Sequence, residues 1–289
     1  MKVVHLTDLH VQIPPRMSEM TGKRLLGSVN LYVLGRKRKF SEAVQRAAIE
    51  AAVAQNPDVV VFTGDITAQA LDAEFEAAEA LLEPILSRFP TVLIPGNHDT
   101  YVRERVPGER MRQRFGQWMG ERAPWLHTFD EIAFLYLETC RLDPLSRGLT
   151  PPAQLEEAEA LLEQAGNRFV FLCQHYPLRG RRGEPYGPST RSLQNASQVE
   201  AFLQRTDRIG AVLHGHEHHG FRTEIPTGGG PRPILNPGAS GYAFLPDKNR
   251  TAHLNIYEVD AAGIHDVSRL RFDGTAFIPE PGGAYATGR

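Results

Sequence analysis

Thr91-Val-Leu-Ile-Pro-Gly-Asn-His-Asp99 decides how the rest of the chain is read. Its first four residues form a short apolar, β-branched run, the pattern of a buried strand. The run stops at Pro95-Gly96, and an amide, an imidazole and a carboxylate then stand on consecutive residues. Gly96 lets the backbone turn without a Cβ penalty. Asn97 offers a neutral oxygen to a hard cation, His98 can move a proton near neutral pH, and Asp99 can orient His98 or brace the loop.

The same arrangement, polar groups where an apolar run ends, recurs on both sides. Val3-Val-His-Leu6 leads into Thr7-Asp-Leu-His10, and Val59-Val-Val-Phe62 into Thr63-Gly-Asp65. Phe169-Val-Phe-Leu-Cys173 leads into Gln174-His175, and Ala211-Val-Leu213 into His214-Gly-His-Glu-His218. Between the strands lie helix patterns from Ser41 to Gln55, Asp72 to Ser87 and Thr150 to Gln164. Asn195-Ala-Ser-Gln198 looks like a capping box opening another. Alternating strands and helices with ligand types at the carboxyl edge define an α/β class. After Phe221 short strands and turns dominate, and Ile278 to Arg289 reads as a frayed tail. The expectation is one domain over 1–277, with residues 11–40 too long for a βα loop and therefore an insert.

Composition narrows the class further. With 289 residues, 41% hydrophobic and 23% charged, the chain can build an ordinary globular core. A formal net charge of -2 is not that of a generally basic nucleic-acid binder. Cys140 and Cys173 are too few for a disulfide framework and fit buried, reduced thiols. The start Met1-Lys-Val-Val-His-Leu6 runs straight into a strand, so a cytoplasmic location is expected.

Collected from the strand ends, Asp8, His10, Asp65, Asn97, His175, His216 and His218 form a ligand set without a thiolate. That chemistry suits Mn, Fe, Zn or Ni better than calcium or a Cys-rich structural zinc. In Asp8-x-His10 and His216-x-His218, residues two apart point to one side in extended backbone, so each pair can chelate. The set exceeds the usual ligands of one ion, whereas two ions about 3.5–4 Å apart, sharing a carboxylate, use it naturally.

Asp8-Leu-His10, Gly64-Asp65, Gly96-Asn-His-Asp99, His175 and Gly215-His-Glu-His218, in this order, resemble the blocks of the calcineurin-like metallophosphoesterase superfamily. The resemblance covers roughly residues 1–260 and implies a two-sheet β-sandwich flanked by helices, in α/β/β/α layers. It implies that Asp8, His10, Asp65 and His218 hold a first divalent ion. Asp65 would bridge to a second, completed by Asn97, His175 and His216. His98 is implied as the acid for the leaving oxygen. The implied reaction is hydrolysis of a phosphodiester or pyrophosphate by a metal-bridging hydroxide, with no phosphoenzyme.

Two basic stretches bear on the substrate. Arg16, Lys23, Arg24 and Arg36-Lys-Arg-Lys39 flank Leu25 to Leu34, where Leu25, Leu26, Val29, Tyr32 and Val33 can share a helical face. This segment can be a lid, a packed hairpin, or a contact between residues 16–39 and the anionic inner face of a membrane. Arg179, Arg181, Arg182 and Arg191 follow His175 among Gly and Pro, suited to a second phosphate. His214 either flanks the loop or touches substrate; His5, His127, His253 and His265 read as structural. Three readings follow: a small-nucleotide phosphodiesterase or pyrophosphatase similar to the bacterial cyclic-nucleotide branch (cAMP included), a hydrolase of a lipid-linked phosphate, and a silent scaffold of the same fold. The complete ligand set disfavours the last. Neither stretch interleaves aromatics as single-stranded nucleic-acid binders do.

Overall fold

A computed structural model describes residues 1–20, 22–28, 36–187 and 190–286. Strands β1 (Lys2–Leu6), β2 (Val59–Phe62) and β3 (Thr91–Leu93) are interspersed with helices α1 (Lys23–Ser28), α2 (Glu42–Ala54) and α3 (Asp72–Leu86). Next come α4 (Glu109–Phe115), β4 (Trp125–Phe129), β5 (Ile132–Tyr136), α5 (Pro152–Gln164), β6 (Phe169–Cys173), α6 (Ala196–Arg205) and β7 (Ile209–Leu213). The later strands are β8 (His219–Ile225), β9 (Arg232–Gly238), β10 (His253–Asp260), β11 (Gly263–Phe272) and β12 (Phe277–Pro279).

They form two mixed sheets, ordered β12-β11-β10-β1-β2-β3 and β4-β5-β6-β7-β9-β8. Strands β1, β2 and β3 run parallel, as do β5, β6, β7 and β9, so their carboxyl ends gather at one edge. Strand periodicity separates the layers. Val3, Val59, Val61 and Val92 meet Phe134, Phe171, Leu213 and Tyr257 between the sheets. Their neighbours Val4, Leu6, Val60 and Phe62 turn outward onto Ile49 of α2 and Phe75, Ala78 and Leu82 of α3. On the far side Leu135, Val170, Leu172 and Val212 pack on Leu155 and Leu162 of α5 and Val199 and Phe202 of α6. The central strands are therefore buried on both faces, which is why they read as unbroken apolar runs. Each fully buried Leu, Ile, Val or Phe stabilises this packing by about 1.5–3 kcal/mol. The α/β/β/α sandwich is as expected.

Three local readings are corrected. The tail is not frayed from Ile278: β12 pairs with β11, Leu270 facing Pro279 and Phe272 facing Phe277. Beyond it, the Tyr285 hydroxyl accepts a hydrogen bond from Asn255 Nδ2 at 2.6 Å. At α6 there is no capping box; Asn195 instead clasps Thr150, accepting its N–H at 3.0 Å and donating to its carbonyl at 2.7 Å. Strand β4 was missed because Trp125-Leu-His-Thr-Phe129 lacks a continuous apolar run.

The insert is tied down at both ends, by bridges between Val11 and Thr67 and between Phe40 and Tyr242. The helical face expected to include Val29, Tyr32 and Val33 lies outside the described residues. Among the described ones, Arg24 is only 8% exposed and Lys23 Nζ lies 4.5 Å over the Tyr101 ring, so both turn inward. Among the described residues of the insert, Met17 and Leu25 are the large apolar side chains left exposed. No helix among the described residues is long and apolar enough to cross a membrane. Both cysteines are free and buried.

Candidate metal centre

Backbone crowding builds the site first. The loops after β1 and β2 are laced together, Asp8 N–H donating to the Gly64 carbonyl at 3.0 Å and His10 N–H to that of Asp65 at 2.9 Å. A Cβ on Gly96 would lie 2.1 Å from Asp65 Oδ1, and one on Gly215 would lie 2.0 Å from Thr7 Oγ1. Only glycine lets these strands' ends come so close. Asp8, His10, Asp65 and His216 all take left-handed backbone, with φ of 52°, 52°, 54° and 68°. This corrects the reasoning for Asp8-x-His10: the pair converges through two left-handed turns, not through extended backbone. Such conformations cost about 1–2 kcal/mol each for non-glycine residues and cluster at functional sites.

Each aspartate then divides its oxygens between two tasks. Asp8 Oδ2 accepts from Thr7 Oγ1 at 2.8 Å and from His216 N–H at 3.0 Å. Its Oδ1 faces His10 Nε2 and His218 Nε2, each at 3.5 Å. Asp65 Oδ1 accepts the His98 N–H at 2.7 Å, while Oδ2 faces His10 Nε2 at 3.5 Å and His175 Nε2 at 3.4 Å. The histidines are divided in the same way. His175 Nδ1 donates to the Thr63 carbonyl at 2.7 Å and its Nε2 lies 3.1 Å from Asn97 Oδ1. His216 Nε2 donates to the Arg191 carbonyl at 3.2 Å and its Nδ1 lies 2.8 Å from the same Asn97 oxygen. A backbone carbonyl thus selects the tautomer and points the remaining nitrogen inward, the support typical of metal-ligating imidazoles.

Among the described residues, Asp8 Oδ1 is a buried atom without a hydrogen-bond donor. Buried carboxylate oxygens left this way need a cation. The groups Asp8–His10–His218, Asp8–Asp65–His175 and His10–Asp65–His98 each have ligand atoms within 4.8 Å of one another, close enough to hold a metal ion. Electrostatics fit a cation too. Burial pulls His216 down to about 3 and lowers His10, keeping both imidazoles neutral with lone pairs to give. Burial opposes the charge on Asp8, but the His10 and His218 imidazoles facing it hold it well below the usual carboxylate range. Burial also opposes the charge on His175, yet Asp65 and Asp8 outweigh it and raise that group to about 9.

His98 sits beside this cluster, its ring 4.7 Å from that of His10, with Nδ1 2.6 Å from the Ala68 carbonyl. Asp99, expected to orient His98 or brace the loop, takes the bracing part. Asp99 is 0% exposed and accepts from Gly96 N–H at 2.9 Å, Ile66 N–H at 3.2 Å, Thr67 N–H at 2.9 Å and Thr67 Oγ1 at 2.8 Å. Those bonds brace the two ligand loops against each other.

A cavity of about 260 Å³ opens over the cluster, lined by Asp65, Asn97, His98, His216 and His218. Lys39, Arg191 and Arg250 line it as well. Arg250 and Ser146 were missed; Arg250 arrives on a late turn bridged to Leu245, with no motif around it. Arg179 does not serve the cleft: Glu200 holds it through contacts of 2.7 and 2.6 Å. Arg181 and Arg182 line a neighbouring depression with Tyr186 and Glu217, and the Arg182 side chain is 90% exposed. His214 is fully buried, its ring 5.3 Å from that of Phe221, so it does not reach a substrate. A larger cavity, about 570 Å³, lies where β6, β7 and β9 begin, but its lining supplies none of the metal-type clusters.

The strand-end ligands and the cleft above them define a metal-dependent hydrolase of phosphoric esters. The chain belongs to the calcineurin-like phosphoesterase family, whose sequence profile matches residues 1–220. That family uses divalent metals. A probable cyclic nucleotide phosphodiesterase of Pseudoalteromonas sp. (strain SM9913) is 25% identical over 235 residues, 78% of this chain and 74% of that protein. The glycerophosphodiester phosphodiesterase GpdQ of Enterobacter lignolyticus (strain SCF1) is 25% identical over 57% of each chain. Among solved structures, a dimetal phosphatase from Danio rerio superposes with a TM-score of 0.57 at 13% identity, covering 96% of this chain and 98% of that one. At that identity the likeness speaks to the fold.

Proposed function

We propose that this chain is a dinuclear phosphodiesterase acting on a small, anionic phosphodiester. Asp8, His10, Asp65 and His218 would hold one divalent ion, and Asp65, Asn97, His175 and His216 a second. The chemistry such ions supply is the acidification of water and the neutralisation of phosphoryl charge. The carrying observation is Asp65: one oxygen is held by the His98 N–H at 2.7 Å, and the other stands 3.5 Å from His10 Nε2 and 3.4 Å from His175 Nε2. A single oxygen placed between two ligand sets is what a shared carboxylate requires.

The chain's own groups do the remaining work. Asp99 holds the loops of Asp65 and Asn97 in register. His98, with Nδ1 engaged by Ala68, presents Nε2 to the leaving oxygen and gives it a proton. Lys39, Arg191 and Arg250 draw an anionic substrate into the cleft. The phosphodiester preference rests on the relatives' names and on this cationic wall. Lys23 and Arg24 turn inward, so neither adds to a basic surface for a lipid-linked substrate.

The test is hydrolysis of bis-p-nitrophenyl phosphate by protein stripped with a chelator and reloaded with Mn. Turnover should vanish on stripping and return on reloading. Turnover that survives complete removal of metal would overturn the proposal.

A further inference from the structure

Among the described residues, helix α1 of the insert adds no group to the lining of the cleft, yet it grips two neighbours of the His98 ring. The first grip is on the loop between Asp65 and α3. Arg24, 8% exposed, donates Nε–H to the Gln69 carbonyl at 3.1 Å and Nη2–H to that of Ala70. Ser28 Oγ donates to Gln69 Oε1 at 3.2 Å. This loop carries the Ala68 carbonyl that binds His98 Nδ1 at 2.6 Å, and it holds Ala70 in left-handed backbone, φ 53°. From the other side the Glu74 carboxylate accepts Gln69 N–H at 2.8 Å and Leu71 N–H at 3.2 Å. The loop is thus clamped, its carbonyls by Arg24 and its N–H groups by Glu74.

The second grip is on Tyr101, whose ring stacks on that of His98 at 5.2 Å and 20°. Lys23 Nζ lies over the Tyr101 ring, 4.5 Å from its centroid, and a Cβ on Gly27 would lie 2.6 Å from the Tyr101 hydroxyl. One turn of helix therefore holds both the loop whose Ala68 carbonyl meets His98 Nδ1 and the ring stacked on the imidazole.

We infer that α1 is a positioning element for proton delivery: Arg24, and Gly27 through Tyr101, aim His98 Nε2 at the leaving oxygen without touching substrate. The inference rests on the phosphoesterase reading given above and assigns the insert a part in it. A hydrogen bond to an imidazole's far nitrogen sets which nitrogen can trade a proton, and small displacements of a positioned acid cost rate steeply.

The test uses leaving-group chemistry. A p-nitrophenolate departs without a proton, whereas an unactivated phenolate needs one, so an acid out of place slows only the latter. Arg24→Met should lower kcat for methyl phenyl phosphate roughly 10- to 100-fold, a part of the 10²–10⁴ that a fully placed general acid contributes. It should change kcat for methyl p-nitrophenyl phosphate less than about threefold, at unchanged metal content. Gly27→Ala should give the same signature and carries the test if Arg24→Met fails to fold. Arg24→Met combined with His98→Ala should be no slower than His98→Ala alone, since one acid is lost only once. Equal loss with both esters, additive loss in the double variant, or no loss at all would overturn the inference. Wild-type protein that hydrolyses neither ester when loaded with Mn would instead sink the phosphoesterase reading itself.

Discussion

Two buried ionic clusters, the metal centre and the Arg269–Glu280 pair, behave in opposite ways. Arg269 and Glu280 are 1% and 0% exposed at their side chains and meet through two contacts of 3.1 Å. Arg269 Nε–H and Nη2–H go to the Pro237 carbonyl at 3.1 and 2.6 Å, and Glu280 also accepts Tyr285 N–H at 2.7 Å. Charge and hydrogen bonding close within that cluster. At the metal centre two carboxylates lie among imidazoles, and Asp8 Oδ1 has no donor among the described residues. A buried pair that completes itself is structural. A buried set that does not complete itself is built for something else, and here the missing charge is positive.

The comparison breaks most visibly at Asp65. Asp65→Asn keeps the acceptor for His98 N–H and removes one negative charge, so kcat for bis-p-nitrophenyl phosphate should fall by on the order of 10³-fold or more. Its unfolding midpoint should stay within a few degrees of wild type in chelator. Glu280→Ala should do the reverse, leaving kcat unchanged while costing about 3–5 kcal/mol in denaturant unfolding, because Arg269 is left buried and alone. If Glu280→Ala lost activity at unchanged stability, the division between the clusters would fail.

Glu138 sharpens the contrast as an intermediate case, a half-buried carboxylate whose side chain meets the neutral Gln154 at 3.4 Å. Burial pushes it up to about 7 from an ordinary 4.5. The folded protein then holds more protons than the unfolded chain between those values, so this group makes stability fall as pH rises from 4.5 to 7. Glu138→Gln should remove that slope, gaining on the order of 1–2 kcal/mol relative to wild type at pH 7.5 but not at pH 4.5. A parallel stability–pH curve for the two proteins would show the group is not shifted. The smallest effect is expected at Arg179→Ala: about 0.5–1 kcal/mol from the lost Glu200 pair, with kcat/KM within twofold. A large rise in KM there would restore Arg179 to the substrate's neighbourhood.

Much of this was legible in the chain because strands buried on both faces must be apolar throughout. Ligand types at their ends stand out against that background, as His175 does after Phe169 to Cys173. What could not be read was set by distant partners. The left-handed turns at Asp8 and His10 come from lacing to the Gly64–Asp65 loop, and no local propensity announces them. Arg24 and Arg179 look alike in sequence as members of basic stretches, yet one clamps backbone carbonyls and the other pairs with Glu200. The tail looked loose because Glu280 and Tyr285 acquire meaning only beside Arg269.

The sharing of Asp65 is tested most directly by Mn titration followed by electron paramagnetic resonance. The account predicts two ions per chain with an exchange-coupled spectrum, reduced in Asp65→Asn to uncoupled Mn. A single ion per wild-type chain, or two ions without coupling, would contradict it.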